Sequence, residues 1–182
     1  MIVMINGSFG VGKTTVARLL REATNGSRIY DPEWAGIALM RLPTWIKING
    51  SGTDDFQDIA LWRRSVPTGI KLVRLLAKGP VIVPMTFSNK AYFDEVMTGV
   101  RRLDPASRVF CLKASLAIVR SRLVNRGERL DAPGSEWMVR RISECEQAHR
   151  GSDFGEPVET EDRTAKQVAE DILNRLRQTA TP

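Results

Sequence analysis

Histidine is almost missing from this chain: His149 is the only one in 182 residues. A zinc site or a Ser-His-Asp relay needs more than that, so both are set aside, and His149, just before "RGSD", reads as a solvated helix-end residue. Cysteine is nearly as scarce. Cys111 lies in an apolar run and Cys145 in a helical pattern, which argues against a disulfide framework and fits a reducing cytoplasm. No stretch approaches the ~20 consecutive apolar residues that span a bilayer. The opening "MIVMINGSFG" has neither a basic segment nor a long apolar one, so it reads as a first strand rather than a secretory leader. Internal repeats and low-complexity tracts are absent as well.

What the chain has in quantity is arginine. Twenty of its 27 basic residues are arginines, set against 21 acidic ones, for a formal charge of +6. That balance suits anionic partners: nucleotide phosphates, nucleic acid or acidic lipid. Arginine grips phosphate through two parallel N–H groups, which lysine cannot do. With 42% hydrophobic residues, the length suffices for one sizeable core and one domain over 1–182.

Apolar runs alternate with helical patterns. Strands are expected at Ile2–Ile5, in "SRIYDPEW" ending at Asp31, at 80–86 ("PVIVPMT"), in "SRVFCLKAS" and, weakly, in "EPVETED". Between them the spacing predicts helices in "TTVARLLREA", "PEWAGIALM", "DDFQDIALWRRS" from near Asp54, "GIKLVRLLAKG", "AYFDEVMTGVRRL", "LAIVRSRLVNRGER", "EWMVRRISECEQAH" and "TAKQVAEDILNRLRQ". "PTWIKINGSGT" (43–53) reads as a flexible connection and "LDAPGSE" as an irregular loop. Strand–helix alternation of this kind implies an α/β three-layer domain with a mostly parallel sheet.

Residues 7–14, "GSFGVGKT", fit G-x-x-x-x-G-K-[ST] between a buried strand and an amphipathic helix, the context that identifies a phosphate-binding loop. Gly7, Gly10 and Gly12 let the backbone turn so that N–H groups of Ser8, Phe9, Val11, Lys13, Thr14 and Thr15 converge on phosphate oxygens. Lys13 is expected to reach the β- and γ-phosphates of ATP, and the Thr14 hydroxyl to ligate Mg²⁺.

Beyond the loop the residues leave choices open. Asp31 is a candidate base for a substrate hydroxyl and a candidate Mg²⁺-shell residue, or it caps the helix that starts at Pro32. Glu33 is a weaker candidate, because an acid in a first turn already favours the helix dipole. Strand "VIVPMT" ends without a carboxylate, which puts more weight on Asp31. Arg122, Arg126 and Arg129, spaced by four and three, share a helix face beside Arg120, with only Glu128 to offset them. They form a solvated basic face or fold over the triphosphate, with Arg126 as the favoured catalytic member. Asp55, Gln57 and Arg63 are candidates for a substrate pocket, with Asp54 beside them. Trp62 stacks on a base or sugar or packs in the core, an ambiguity that Trp34 and Trp45 share. In the last helix Val168, Ile172, Leu173 and Leu176 form a core-facing stripe or a membrane-surface face.

"INGSFGVGKT", "YDPEWAGIAL", "DDFQDIALWR", "VPMTFSNKAYFDE", "LKASLAIVRSRLVNR" and "VAEDI", in that order from Ile2 to Leu176, resemble the tunicamycin-resistance proteins. More broadly the chain resembles small-molecule and nucleoside monophosphate kinases. The resemblance implies a five-stranded parallel sheet in the order 2-3-1-4-5 with helices on both faces and ATP with Mg²⁺ at residues 7–14. It also implies a substrate-binding helical region at about 33–66 and a lid at about 122–137. Position by position, Lys13 and Thr14 match the phosphate and magnesium residues, Asp31 the acid after strand two, and Arg122 and Arg126 the lid motif. Two departures stand out. Met85-Thr86 replaces the "DG" of nucleoside monophosphate kinases, and the tail "RLRQTATP" is short and polar where the family has a membrane-attached amphipathic end.

The function expected is ATP-dependent phosphoryl transfer to a nucleoside antibiotic of the tunicamycin kind or a related small molecule. The alternatives are ATP-dependent capture without modification and housekeeping phosphorylation of a metabolite. Nucleic acid is not expected as a partner, since no recognition signature accompanies the arginines. A cytoplasmic monomer or weak dimer is expected, with peripheral membrane contact as a lesser option.

Overall fold

A computed structural model describes residues 1–34, 36 and 55–178. Five parallel strands, β1 (Ile2–Gly7), β2 (Arg28–Ile29), β3 (Val81–Pro84), β4 (Arg108–Lys113) and β5 (Glu156–Glu159), lie in the order β2-β3-β1-β4-β5. This is the expected sheet. Six α-helices are described: α1 (Lys13–Ala23), α2 (Ala60–Leu76), α3 (Lys90–Leu103), α4 (Leu116–Val124), α5 (Glu136–Ala148) and α6 (Ala165–Gln178).

Side chains of a strand point alternately to opposite faces, so a strand that is apolar throughout serves two cores. All six residues of β1 are buried. Ile2 and Met4 join Val81, Val83 and Cys111 against Trp62, Val66 and Ile70 of α2 and Phe93, Val96 and Met97 of α3. Val3 and Ile5 join Ile82, Phe110 and Leu112 against Val16, Ala17 and Leu20 of α1 and Val168, Ala169 and Ile172 of α6. The apolar stripe of the last helix is therefore spent on this core, with Leu173 and Leu176 at its margin. Among the described residues no helix is long and apolar enough to cross a membrane.

Several expectations need correction. The second strand stops at Ile29, although Tyr30 N–H still donates to Ile82 O at 2.9 Å. Asp31 thus lies past the strand end, in the turn before Pro32. The two helices expected around "RSVPTG" are one helix, α2, with Pro67 inside it. Gly99 of α3 accepts the proline ring: a Cβ there would sit 2.5 Å from Pro67 Cγ. A 3-10 turn (Phe56–Asp58) precedes α2. The flexible connection at 43–53, Trp45, Asp54 and most of "PEWAGIALM" lie outside the described residues. Helix α4 ends at Val124, so Arg126 and Arg129 leave the helix and share no face with Arg122.

His149 is also corrected. It ends α5 as expected but is 5% exposed, against Phe154 and with Nε2 2.6 Å from Phe87 O. A carbonyl only accepts, so Nε2 carries the proton, and burial lowers the pKa and keeps the ring neutral.

Candidate functional site

In this strand order the chain moves to one side of β1 for β2 and β3 and to the other for β4 and β5. The carboxyl end of β1 opens at that reversal, where open α/β sheets bind ligands. The loop at that end runs Gly7, Ser8, Phe9, Gly10, Val11, Gly12 into α1. Val11 is buried in the core behind the loop and Phe9 packs edge-on against Trp137, 5.5 Å between centroids. These contacts pin the loop from behind.

Gly12 caps α1 with φ +110°, a conformation closed to other residues, and a Cβ there would meet nothing within 4 Å. It is required for backbone angle, not for packing, and the space in front of it is open. No side chain caps α1 and its first turn holds no acid. The N–H groups of Lys13, Thr14 and Thr15, which an α-helix leaves without internal partners, therefore face that space with the positive end of the helix dipole.

A cavity of about 210 Å³ begins here, bounded by Lys13, Thr14, Asp31, Glu33, Pro84 and Arg126, with Glu128 and Met138 at its far side. It unites the phosphate lysine, the hydroxyl of Thr14 and both carboxylates singled out in the sequence. Lys13 Nζ donates to Gly7 O at 3.0 Å and Ser8 O at 2.9 Å. Burial lowers the Lys13 pKa, and Glu33 and Asp31 pull it partly back. Asp31 Oδ1 accepts from Glu33 N at 3.0 Å, so the capping role is real. Burial nevertheless raises the pKa of Asp31 against both that bond and Lys13. Glu33 is raised by burial too, with Lys13 the largest opposing influence. Thr86 sits beside it and favours its charge, although Glu33 Oε1 and the Thr86 hydroxyl each lack a partner of good hydrogen-bond geometry. Glu33 therefore belongs to the site more fully than its sequence position suggested.

The arginines divide. Arg122 is committed to protein oxygens: Nη1 to Val11 O at 3.3 Å and to Thr160 Oγ1 at 3.0 Å, Nη2 to Thr160 O at 2.7 Å. It braces the loop from outside. Arg126 is exposed, makes no ion pair among the described residues, and lines both the 210 Å³ cavity and a neighbouring one of about 380 Å³ between the loop and Thr160–Val168. Arg120 and Arg129 line neither.

Of the candidate pocket residues, Trp62 is corrected as a stacking surface. It is 1% exposed, packs on Phe56 and Phe87, and donates Nε1–H to Pro32 O at 3.0 Å. Arg63 is held by Glu95 at 2.5 Å and Gln57 O at 2.6 Å, and stacks on Tyr92. Trp34 is 73% exposed. Asp55 and Gln57 are buried, and Asp55 pairs with Arg141 at 3.2 Å. Sequence reasoning missed Arg141. Its signal was the stripe Met138, Ile142, Cys145 on α5, into whose buried side Arg141 falls. Cys111 and Cys145 are inert by burial, which lifts the Cys111 thiol to about 12.

A family model described as AAA domain matches residues 2–142. The tunicamycin resistance protein of Deinococcus radiodurans is similar in structure, with a TM-score of 0.72, 27% identity, and 97% of this chain and 95% of that one covered. A gluconokinase from Sinorhizobium meliloti 1021 aligns with a TM-score of 0.65 at 21% identity, covering 98% and 92%. Shikimate kinase from Acinetobacter baumannii, solved with shikimate, aligns with 0.62 at 16% identity over 100% and 95%. These last two show the fold alone. Among curated proteins none matches this chain in sequence. With more than half its length matched, the chain belongs to the AAA-domain family, and its fold is that of the P-loop kinase-like NTPases.

Proposed function

We propose that the protein is an ATP-dependent phosphotransferase acting on a hydroxyl of a nucleoside-like small molecule of the tunicamycin kind, and that this modification confers resistance. The observation that carries the reading is the single cavity joining Lys13, Thr14, Asp31 and Glu33. A lysine and a helix N-terminus suit phosphate, and a carboxylate of raised pKa in the same space suits proton removal from an acceptor.

The open face at Gly12, the uncapped first turn of α1 and the Thr14 hydroxyl fit a nucleoside triphosphate with its magnesium. When bound, ATP supplies the phosphoryl group and Mg²⁺ spreads its charge. Lys13 releases its loop carbonyls to hold the terminal phosphates, and Thr14 offers an oxygen to the metal. Asp31 accepts the acceptor's proton as that hydroxyl oxygen bonds to the γ-phosphorus and ADP departs. Arg126, at the junction of the two cavities, neutralises charge on the transferred group. The lid role of 122–137 and the substrate role of 33–66 belong to this reading.

Asp31 Oδ1 is already engaged by Glu33 N, which favours a second reading: capture of the antibiotic without transfer. Mass spectrometry of tunicamycin after incubation with protein, ATP and Mg²⁺ separates the two. The proposal expects a phosphorylated product that Lys13→Ala does not make. Unaltered antibiotic that co-purifies with the protein overturns transfer in favour of capture.

A further inference from the structure

One polar side chain interrupts the apolar face that β1 turns toward α2 and α3. Asn6 follows Ile2 and Met4 on that face and is 1% exposed. Burying an amide is costly unless it is hydrogen-bonded, and here the partner is one peptide. β1 and β3 pair in register from Ile2–Val81 to Ile5–Pro84, and Met85 N still donates to Ile5 O at 2.9 Å. Past that rung the Asn6 side chain stands in for a strand. Its Oδ1 accepts from Phe87 N at 2.8 Å and its Nδ2 donates to Phe87 O at 3.4 Å. His149, at the end of α5, donates Nε2–H to the same carbonyl at 2.6 Å. The two nitrogens stand 3.4 Å apart because both converge on one oxygen.

The rest of the segment is equally fixed. The Phe87 ring packs between Trp62 and Phe93, and Gln57 Nε2 holds Thr86 O. Residues 85–87 lie beyond the end of β3, yet three separate parts of the chain hold their backbone.

What this frame carries is the phosphate cavity. Asn6 precedes Gly7, whose carbonyl accepts from Lys13 Nζ at 3.0 Å. Phe87 follows Thr86, which stands beside Glu33. Pro84 lines the cavity just before the segment, and Met138 lines it from the opposite end of α5 to His149. The loop of the phosphate lysine, the wall beside the carboxylates and α5 therefore meet at the Phe87 peptide. In phosphoryl transfer the relative placement of such groups matters, and a misplacement of about 1 Å can cost about 10²-fold in rate. We propose that Asn6 and His149 are positioning residues for the reaction: through Phe87 they set the spacing between Lys13 and the carboxylates, and neither touches a ligand. The inference rests on the phosphotransferase reading for the chemistry that this spacing serves.

Substitutions separate position from packing. His149→Phe keeps a ring against Phe154 and loses the donor, whereas His149→Gln keeps an N–H where Nε2 stood. Asn6→Leu keeps the volume and loses both bonds; if it does not fold, the two His149 variants carry the test. Each full-length variant, native by circular dichroism, is assayed for transfer to tunicamycin. Calorimetry then gives its affinity for ADP and Mg²⁺ with and without aluminium fluoride, a mimic of the phosphoryl group in flight that needs no turnover. His149→Phe and Asn6→Leu are expected to lower kcat about 10- to 100-fold. Their KM for ATP and their ADP affinity should stay within about two-fold, as for groups that act on the transition state alone. They should also lose most of the fluoride-dependent gain in affinity, and His149→Gln should recover both losses. A glutamine variant no better than phenylalanine, or kcat and ADP affinity falling in step, overturns the proposal and leaves the pair a structural role. If the unmodified protein phosphorylates no tunicamycin, the transfer reading falls and the fluoride-dependent gain still decides this inference. Its loss in His149→Phe and return in His149→Gln uphold it. The same gain in every variant, or none in the unmodified protein, overturns it.

Discussion

The phosphate loop and the polar cluster around Arg141 are built in opposite ways. The phosphate end is nine consecutive residues, 7–15, whose geometry follows from local sequence: glycine at the cap, lysine and threonine at the helix start, a buried strand behind. Its lysine is held within the loop, Lys13 bonding Gly7 O and Ser8 O. The cluster around Arg141 gathers Asp55 from before α2, Ser88 from after β3 and Glu144 from α5: Nη1 donates to Ser88 Oγ at 2.8 Å and Glu144 Oε2 at 2.9 Å, and Nη2 pairs with Asp55 at 3.2 Å. A phosphate cradle can be written as a motif because one loop makes it. The Arg141 cluster is written in tertiary packing.

Lys13→Ala tests the phosphate end with the largest effect. Phosphoryl transfer is expected to fall about 10³-fold or more, as for loss of a preorganised charge at the transition state, while circular dichroism stays native. Retained transfer would detach the loop from the chemistry. Asp31→Asn sits at the boundary. Transfer is expected to drop about 10²-fold with nucleotide affinity preserved, in the range for a lost general base. A loss of fold stability with normal turnover would make Asp31 a cap and nothing more.

The pH profile is a smaller lever on the same boundary. Burial raises Asp31, so the acid limb of kcat should lie above the usual carboxylate range near ~4, with turnover falling as pH drops through it. A limb at the ordinary position would contradict a buried base. Glu33→Gln should raise the melting temperature near pH 7. The folded-state pKa of Glu33 is raised despite Lys13, so its ionised form costs stability at neutral pH and its protonated form does not. That gain should shrink toward pH 4, and a gain independent of pH would point elsewhere. Smallest is Trp62→Phe, expected to cost about 1 kcal/mol by losing the bond to Pro32 O, with no change in substrate affinity. Denaturant unfolding and KM report the two halves.

The same division explains what the sequence disclosed. Strand positions and the loop were legible because apolar runs and glycine spacing are local signals, whereas the strand order followed only from the family resemblance. Arg126 and Arg129 were misplaced on one helix because the turn at Asn125–Gly127 outweighs the four-and-three spacing. α2 runs through Pro67 because Gly99, 32 residues away, makes room for the ring, which no local rule contains. His149 and Arg141 were readable in retrospect. Both continue the inward stripe of Ile142 and Cys145, but a charged or titratable side chain on an inward position gives no sign of its partner. Asp55 could not be paired with Arg141 from sequence, since 86 residues separate them.

If the protein transfers phosphate to the antibiotic, ATP consumption must depend on that acceptor. ADP formation by the unmodified protein, followed with and without tunicamycin at saturating ATP and Mg²⁺, tests that directly. Acceptor-dependent ADP release that disappears in Asp31→Asn is the predicted result. ADP formed at the same rate with or without the acceptor, or formation indifferent to Asp31, would contradict the account.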